Sequence, residues 1–415
     1  MPQPRRRIGE RALANPSRGM KPCAMDEQQV DILVIGAGMA GASAAAALTE
    51  AGDGRRIALI EAEATPGYHS TGRSAAIWIL NYGPRDVRTL TRLSRGFFDN
   101  PPPGFADHPL AHRRSVLFLA PAEQEAALKT LLSAGEGVRE VALAEVARRV
   151  PALRPDYAIG AAIEDDAFDI DVAALHQGFI RQFRRAGGTL ALDARATAIT
   201  RVGRLWRVAT EGGALFTTPV IVNAAGAWGD AVAKAAGVTP IGLVPKRRTG
   251  SIIDPAPFEV AGWPMIQDVR QSWYIRPEAR TRLMVSPADA TPIHPHDVQP
   301  DEIDVAIGID RMQQALAIEV RRVERSWAGL RSFTPDGSLA FGWDRGADGF
   351  FWCVGQGGYG IQTAPAAGAL VAALVLGRDP GAAARDILAA VDPARFHAAG
   401  PRAGAGAGAD EVSPS

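Results

Sequence analysis

Cysteine is nearly absent from this chain of 415 residues, which contains only Cys23 and Cys353. Two isolated cysteines form neither a disulfide framework nor a metal-binding motif, a pattern that fits a reducing compartment. We interpret Cys353, which lies in an apolar run over 350–354, as a buried strand residue. The histidine pair His294 and His296 lacks a third ligand nearby in the sequence, so we expect a surface loop there and no metal site.

The chain also lacks an excess of charge of one sign and any long apolar run. Lys+Arg and Asp+Glu both number 45, so no broad field attracts nucleic acid or an anionic membrane. Apolar runs such as 366–376 are too short to cross a bilayer. We therefore expect a cytoplasmic protein, at most peripheral to the inner membrane, whose partner is a small molecule.

Length and local composition indicate two domains between two tails. At 43.8 kDa and 47% hydrophobic residues, the chain exceeds the usual single core and favours two domains that share one ligand. Residues 1–29 contain Arg5-Arg-Arg7 but no apolar segment, so we expect a disordered tail without a secretory signal. Met25 leaves the true start of translation open. The low-complexity segment 395–415 predicts a flexible C-terminal tail.

A dinucleotide-binding pattern opens the first ordered region. An apolar strand over 31–35 runs into Gly36-Ala-Gly38-Met-Ala-Gly41 and an alanine-rich helix. Gly36 permits a tight turn, Gly38 lets the backbone approach a pyrophosphate, and Gly41 lets helix and strand pack closely. A second strand over 57–60 ends at Glu61, where an acid binds ribose hydroxyls. The alternative is a glycine-rich turn without function.

Three later segments extend this pattern. The segment 66–75 crowds small and hydroxyl residues around Arg73, a composition suited to wrapping a phosphate or a ring. A helix over 172–183, stopped by Gly187-Gly188, returns the chain to a parallel sheet at 189–192. After a predicted hairpin over 205–217, the strand 220–222 ends in small residues over 223–228, which let the backbone approach a ligand closely.

The last glycine cluster, over 355–363, favours a flavin over a nicotinamide. It precedes an alanine-rich helix whose N-terminus stabilises negative charge. A reduced flavin carries such charge at its pyrimidine end, whereas a nicotinamide enzyme has no clear use for this element. The sequence therefore predicts FAD as the cofactor.

Taken together, these segments, with 327–331 and 335–337, resemble the D-amino-acid oxidase-like family of FAD oxidoreductases. The resemblance extends from residue 30 to about residue 377. Stretches 67–76, 245–248, 327–333 and 356–363 look most similar to bacterial FAD-dependent D-arginine dehydrogenases. The resemblance implies an α/β fold, in which a Rossmann-like FAD-binding domain (30–85, 145–235 and 325–390) carries an inserted α+β substrate domain (86–144 and 236–324).

The resemblance also implies a set of cofactor-binding residues drawn from all the glycine-rich segments. They are Gly36, Gly38, Ala40, Gly41, Glu61, Ala62, Ser70, Thr71, Gly72, Arg73, Ser74, Ala75, Ala76, Ile77, Thr197, Ala225, Gly226, Trp228, Gly329, Gly357 and Gln362. His69 touches FAD or simply packs on its neighbours. No metal ligand is implied.

Substrate chemistry requires a clamp for a carboxylate, and a planar guanidinium supplies two parallel hydrogen bonds. Arg331, in a Gly-x-Arg motif, and Arg248 are the candidates, although Arg247 exchanges roles with Arg248 if the strand register shifts by one. Each arginine forms an ordinary salt bridge in the alternative interpretation.

The remaining catalytic candidates surround that clamp. By resemblance, Tyr274 and Tyr82 face the substrate, and packed aromatics are the alternative. The backbone of Gly358, Tyr359, Gly360 and Ile361 offers carbonyl groups to the substrate amine.

Two departures from the D-arginine subgroup alter the expected specificity. Ile77 stands where that subgroup has a histidine, and Val116 stands where it has a glutamate that accepts a guanidinium. Without that carboxylate, a cationic side chain loses the partner that offsets its desolvation. We therefore expect D-amino acids with neutral or apolar side chains to be favoured, with the D configuration implied by resemblance.

The predicted reaction moves hydride from Cα to flavin N5 and gives an imino acid that hydrolyses to a 2-oxo acid and ammonia. Two alternatives stay open: oxidation of hydroxy acids or N-methyl amino acids through the same clamp, and a flavin-binding subunit without turnover. The sequence does not distinguish oxygen from a quinone-type electron acceptor.

Overall fold

A computed structural model describes residues 27–396; the predicted tails, Cys23 and Met25 lie wholly or largely outside this range. The strands are β1 Glu27–Gln29, β2 Ile32–Ile35, β3 Ile57–Ile60, β4 Ile77–Trp78, β5 Ala111–Arg113, β6 Val116–Ala120, β7 Val138–Glu140, β8 Gly160–Glu164, β9 Phe168–Ile170, β10 Thr189–Ala191, β11 Ala196–Val202, β12 Leu205–Thr210, β13 Leu215–Thr218, β14 Ile221–Asn223, β15 Val244–Ile253, β16 Met265–Asp268, β17 Tyr274–Glu278, β18 Arg282–Ser286, β19 Val323–Phe333, β20 Ala340–Trp343 and β21 Phe350–Val354.

Helices occur between these strands and after the last one. They are α1 Met39–Glu50, α2 Arg85–Asp99, α3 Glu125–Ala134, α4 Leu143–Arg149, α5 Val172–Arg185, α6 Gly229–Ala235, α7 Glu302–Ala315, α8 Ala364–Val375, α9 Ala382–Arg385 and α10 Leu388–Val391. Short 3-10 helices cover Ala122–Gln124, Gly226–Trp228 and Pro393–Phe396.

A six-stranded sheet of order β10-β3-β2-β14-β21-β20 holds the first glycine motif. All its pairs are parallel except β20 with β21. Along β2 the buried side chains alternate between two cores. Ile32 and Val34 pack towards α1, α5 and α8, while Leu33 and Ile35 pack towards the sheet β1-β13-β12-β11. Because both faces are covered, the strand is continuously apolar.

The predicted crossover helix returns the chain to this sheet. α5 begins after Asp171, whose carboxylate accepts a hydrogen bond from the Ala174 N–H at 2.8 Å and so caps the helix. The helix ends before Gly187, which adopts a φ of 89°. β10 then pairs in parallel with β3, which confirms the sequence prediction.

An eight-stranded sheet, of order β19-β15-β18-β17-β16-β6-β8-β7, forms the second layer of the molecule. Its long strands β15 and β19 pair antiparallel along most of their length. In β6, Leu117 and Leu119 pack in the same core as Met312 of α7. The alternate residues Val116 and Phe118 pack on the opposite side.

Strand pairing differs from the predicted domain boundaries at two places. The segment 145–235 was predicted to belong to the FAD-binding domain, yet β8 lies within it and pairs with β6. Likewise, the segment 325–390 was predicted to belong to the FAD-binding domain, yet β19, most of which lies within it, pairs with β15. α2, predicted to belong to the substrate domain, packs in the core of α1 and α8. These elements change layers because the chain crosses between the sheets several times.

Within residues 27–396, no helix is both long and apolar enough to cross a membrane. The same residues contain no group of three or more His, Cys, Asp or Glu side chains placed to hold a metal ion.

Candidate active site

A cavity of about 420 Å³ lies between the two large sheets. The glycine turn after β2 and Glu61 line one end of this cavity. Arg248 and Arg331, on neighbouring strands of the eight-stranded sheet, line it as well. Both layers therefore contribute residues to one cavity.

The glycine turn leaves no room for side chains. Gly36 has a φ of 102°, and a Cβ there would lie 2.6 Å from the carbonyl oxygen of Ala224. A Cβ on Gly41 would lie 1.8 Å from the carbonyl oxygen of Gly36. Gly36 and Gly38 line the cavity, while Gly41 lies behind them and allows the helix to approach. The open backbone at the start of α1 fits an anionic pyrophosphate.

Glu61 and Thr71 hold this turn from two sides. The Glu61 carboxylate accepts hydrogen bonds from the N–H of Ala37 at 2.7 Å and from that of Glu63 at 3.1 Å. The Thr71 hydroxyl accepts a hydrogen bond from the N–H of Met39, in the first turn of α1, at 2.9 Å. The loop 66–76 is thereby attached to the helix N-terminus.

Arg73, a predicted cofactor contact, lines the cavity and also bonds to the protein. Its guanidinium donates to the carbonyl oxygens of Val298 at 3.0 Å and Ala328 at 3.2 Å and forms an ion pair with Asp297. Its carbonyl oxygen accepts a hydrogen bond from the Trp327 indole at 2.9 Å. These contacts join the loop to Ala328 of β19 and to the segment 297–298.

His69 packs on its neighbours, one of the two interpretations open from the sequence. Its ring lies 4.6 Å from the Trp228 ring, between centroids, and its Nε2 lies 3.1 Å from the Glu63 carboxylate. Both His69 and Trp228 border the cavity.

The strand register separates Arg248 from Arg247. Arg248 is 9% exposed, lines the cavity and donates from Nε to the carbonyl oxygen of Asp289 at 2.8 Å. Arg247 points to the other face of β15 and forms ion pairs with Asp304 at 2.6 Å and Asp301 at 3.2 Å. Alternation along a strand produces this separation, and the structure brings Arg248 to the site.

Arg331 lies beside Arg248 on the adjacent strand and donates from Nη1 to the Tyr82 hydroxyl at 3.0 Å. Among residues 27–396, neither Arg248 nor Arg331 forms an ion pair with a carboxylate. Burial, together with the positive charge of Arg331, lowers the pKa of Arg248. The two guanidinium groups thus bring positive charge to the cavity without a directly paired carboxylate among the described residues, which favours an anionic ligand.

Tyr274 responds to the same field. Burial is the largest influence on its pKa and raises it, but the charges of Arg331 and Arg248 together bring that pKa below the ordinary value. Tyr274 lines the cavity from β17. A phenol this close to two arginines is placed to donate a hydrogen bond to a ligand that they hold.

The segment 357–361 closes against the clamp. A Cβ on Gly358 would lie 2.7 Å from the Tyr82 hydroxyl and 2.9 Å from Arg331 Nη1. Gly360 and Ile361 also line the cavity. Tyr359 does not line it: its ring is buried behind Tyr82, at 4.9 Å between centroids. Of the four residues predicted to face the amine, Tyr359 therefore supports the site from behind.

Two predicted cofactor contacts are used differently by the structure. The amide of Gln362 accepts from the Ile79 N–H at 3.2 Å and donates to the Thr91 hydroxyl at 2.8 Å, so that it joins the turn to α2 although it borders the cavity. Thr197 lies outside the lining because a register irregularity between Ala196 and Ala198 turns its hydroxyl to the Ala209 carbonyl oxygen, at 3.2 Å.

Gly72 also lies outside the lining. Its N–H donates to the carbonyl oxygen of Gly67 at 2.7 Å, and a Cβ there would lie 2.8 Å from the same oxygen. Gly72 is needed for the tight turn of the loop. The other predicted cofactor residues that line the cavity are Ala40, Ala62, Ser70, Ser74, Ala75, Ala76, Ile77, Ala225, Gly226, Gly329 and Gly357.

Sequence reasoning missed several groups of lining residues, among them two that belong to the sheets. One comes from the start of the four-stranded sheet: Ala194, Arg195, Ala196 and Ile199. The other comes from the cavity face of the eight-stranded sheet: Met265, Gln267 and Met284. An assignment of 265–268 as a strand would have placed Met265 and Gln267 on one face, because side chains alternate with a period of two.

Val116 does not line the cavity. It is fully buried and packs in one cluster with Ile79 and Met265. The carboxylates in the lining are those of Glu61 and Glu63, both beside the glycine turn. Among the described residues, no carboxylate lines the cavity beside Arg248 and Arg331. The residue at position 116 does not contribute to this absence, because it lies outside the lining.

A model of the family described as "FAD dependent oxidoreductase" matches residues 31–374. Among solved structures, L-proline dehydrogenase from P. horikoshii is 20% identical, with a TM-score of 0.75, and the match covers 89% of this chain and 98% of that one. Glycine oxidase from Geobacillus kaustophilus is 21% identical, with a TM-score of 0.73 and coverages of 85% and 95%. L-α-glycerophosphate oxidase from Mycoplasma pneumoniae, solved with FAD bound, is 15% identical, with a TM-score of 0.73 and coverages of 84% and 95%. These structures confirm the expected α/β fold, with its Rossmann-like FAD-binding and substrate-binding parts.

Proposed function

Because the chain belongs to the family of FAD-dependent oxidoreductases, we propose that it oxidises the α-amine of D-amino acids with neutral side chains. FAD is the cofactor, and when bound it accepts the hydride that leaves the substrate Cα. The resulting imino acid hydrolyses to a 2-oxo acid and ammonia.

The residues present fit FAD. The side-chain-free turn at Gly36 and Gly38 faces the N-terminus of α1, which favours a pyrophosphate. Glu61 ends β3 beside that turn, where a carboxylate accepts hydrogen bonds from ribose hydroxyls. The backbone of 357–361, in the turn before α8, suits the negative charge of a reduced flavin.

The observation that carries the proposal is the pair of cavity-facing guanidinium groups without an acidic partner. Burying one charged group without compensation is costly, and burying two of like sign is costlier. A substrate carboxylate would neutralise this field and accept paired hydrogen bonds from Arg331 and Arg248. The hydroxyls of Tyr82 and Tyr274 would complete the carboxylate site.

Fixing the carboxylate orients the rest of a small amino acid. The nearby backbone of Gly358, Gly360 and Ile361 offers acceptors to its amine. An amine held by carbonyl oxygens loses a proton to water before the Cα–H bond breaks, because only the neutral amine can stabilise the developing imine.

The lining also supports the neutral side chain. Met265, Met284, Ile77 and Ile79 line the cavity, and among residues 27–396 the carboxylates in the lining are those of Glu61 and Glu63 beside the glycine turn. A lysine or arginine head would have to be desolvated without a partner. We therefore propose that such substrates are disfavoured.

Two solved relatives are named for amino acids, proline and glycine, which supports an amino acid as substrate. The D configuration comes from the resemblance of several loops to D-arginine dehydrogenases. The same clamp also suits a hydroxy acid or an N-methyl amino acid, so the decisive experiment compares all of these.

The test is anaerobic reduction of the purified, FAD-loaded protein. Loss of the yellow flavin absorbance is followed with D- and L-leucine, D-arginine, D-lactate and sarcosine. We expect rapid reduction by D-leucine, slow reduction by D-arginine and none by the others. Reduction by L-leucine alone would overturn the configuration, and reduction by lactate or sarcosine alone would overturn the substrate class.

A variant pair relates the result to the clamp. Arg331→Met should raise the KM for D-leucine at least about tenfold, since a charge-assisted bidentate contact is lost. Arg325→Met changes an exposed arginine on the same strand and should leave KM unchanged. If no member of the panel reduces the flavin while FAD stays bound, a flavin-binding subunit without turnover becomes the better explanation.

A further inference from the structure

We infer that Gln267 makes this enzyme selective for substrates whose side chain carries a neutral hydrogen-bonding group, above all a carboxamide, over apolar side chains of the same shape. The inference rests on the proposed function and narrows its substrate class. It assigns a specificity-determining role to a residue outside the carboxylate clamp.

The Gln267 side chain is buried yet has no protein partner. Gln267 is 4% exposed, lies on β16 and lines the cavity. Within the described part of the chain, its amide forms no hydrogen bond. Buried polar groups are hydrogen-bonded in the great majority of cases, so an unpaired amide that faces a cavity points to a ligand.

The next residue on the strand shows the contrast. Asp268 faces the opposite side of β16, and its carboxylate accepts hydrogen bonds from the N–H and the hydroxyl of Ser272, both at 2.6 Å. It also accepts one from the Gln124 amide at 2.6 Å. On the outward face of β16, both carboxylate oxygens of Asp268 thus accept hydrogen bonds. On the cavity face, the Gln267 amide has no hydrogen-bond partner among the described residues.

The position of Gln267 places it at the substrate end of the cavity. Gln267 is the direct cross-strand neighbour of Tyr274, which lines the same cavity as Arg248 and Arg331. Met265, two residues away on the same face, offers no hydrogen-bonding partner beyond a weak sulfur acceptor. A substrate anchored by its carboxylate at the arginines therefore meets the wall that contains Gln267.

The chemistry of an amide defines the complementary group. Gln267 presents one carbonyl acceptor and two N–H donors. A substrate carboxamide pairs with both kinds of group at once. A methyl group leaves both unpaired, and an ammonium pairs only with the carbonyl while its charge stays uncompensated.

Asparagine and leucine provide the test because their side chains have nearly the same branched shape. The ratio of kcat/KM for D-asparagine to that for D-leucine is measured for the FAD-loaded wild type and for Gln267→Leu. We expect the wild-type ratio to exceed one and the variant ratio to be about tenfold smaller. Met265→Leu, an apolar exchange on the same face of β16, should change both substrates alike and preserve the ratio.

Further variants keep the test decisive. Gln267→Asn retains an amide and should keep more of the asparagine preference than Gln267→Leu. If Gln267→Leu fails to retain FAD, Gln267→Met supplies the same comparison with a side chain of similar length. A ratio that is equal in the wild type and in these apolar variants would overturn the inference, since water would then satisfy the amide.

The outcome separates this inference from the proposed function. If both D-asparagine and D-leucine reduce the flavin but the ratio of their kcat/KM values does not change in the Gln267 variants, only the specificity assignment fails. If neither enantiomer of either amino acid reduces the flavin, the proposed function fails and the inference falls with it.

Discussion

The Arg331 guanidinium donates a hydrogen bond to the Tyr82 hydroxyl at 3.0 Å, across the boundary between β19 and the segment that follows β4. This contact orients the arginine without neutralising it, because a phenol is not a carboxylate. The charge therefore stays available for a ligand. Orientation before binding reduces the ordering cost of substrate association.

Tyr82→Phe should loosen that orientation. Removing the hydroxyl deletes one hydrogen bond to Arg331 and one predicted bond to the substrate carboxylate. We expect the KM for the preferred amino acid to rise about tenfold, with a smaller change in kcat. Steady-state kinetics measure both values.

Tyr157→Phe is the matched control for Tyr82→Phe. The Tyr157 hydroxyl accepts a hydrogen bond from the Trp273 indole at 2.9 Å, away from the cavity lining. This variant should lower stability and leave KM unchanged. An equal rise of KM in both variants would mean that Tyr82 acts only through stability.

Gly358→Ala should displace the clamp by steric contact. The added Cβ would lie 2.7 Å from the Tyr82 hydroxyl and 2.9 Å from Arg331 Nη1, so both side chains must move. We expect kcat/KM to fall at least about tenfold, because a misplaced positioning group costs up to about a hundredfold. FAD should stay bound.

The control for this change is Gly96→Ala, in α2, where an added Cβ meets no atom within 4 Å. It should leave kcat/KM unchanged and raise helix stability slightly. Normal turnover by Gly358→Ala would contradict the close approach of Gly358 to the two side chains.

The glycine-turn end of the cavity was predictable because its signals are local. A strand, a glycine turn and a helix follow one another in the chain, and Glu61 ends the next strand. The choice between Arg247 and Arg248 needed only the alternation of side chains along β15, once the register is known. These features depend on short segments whose geometry the sequence itself restricts.

The rest of the site depends on contacts between distant segments. Arg73 lies in a segment whose composition suits ligand binding. Its hydrogen-bond acceptors, the carbonyl oxygens of Val298 and Ala328, lie more than 200 residues away in the sequence. Thr197 is turned away by a register irregularity that no residue pattern announced. The unpaired state of the Gln267 amide could not be predicted without knowing that β16 pairs with β17. Such relations arise from tertiary packing.

Thr71→Val should weaken FAD binding. The Thr71 hydroxyl accepts a hydrogen bond from the buried N–H of Met39 at 2.9 Å, and valine leaves this N–H unpaired next to the site predicted for the pyrophosphate. We expect the dissociation constant for FAD to rise about tenfold, as titration of the apoprotein would measure.

Thr49→Val, near the other end of α1, removes a hydroxyl that bonds only to carbonyl oxygens within the helix. Thr49→Val makes the same side-chain change as Thr71→Val and should leave the FAD dissociation constant unchanged. A loss of affinity in both variants would attribute the effect to the helix rather than to the Thr71 contact.

Asp86 should give the stability of this protein a measurable pH dependence. The residue is 3% exposed in the first turn of α2, and its Oδ2 is buried without a hydrogen-bond partner among residues 27–396. Burial raises its pKa above the ordinary value for an aspartate, although the hydrogen bond from the Ser338 hydroxyl acts in the opposite direction. The folded state therefore holds this proton more tightly than the unfolded state does.

The sign of the effect follows from that difference in proton binding. Between the unfolded and folded pKa values the folded state binds more protons, so the free energy of unfolding falls as pH rises from about 3.8 through the raised pKa. Asp86→Asn keeps the shape but cannot ionise, and should lose this decline. Urea unfolding at a series of pH values should show the variant gaining stability relative to wild type as pH rises. Asp156→Asn, at an exposed position, should run parallel to wild type; a parallel profile for Asp86→Asn as well would show that the buried carboxyl does not titrate in this range.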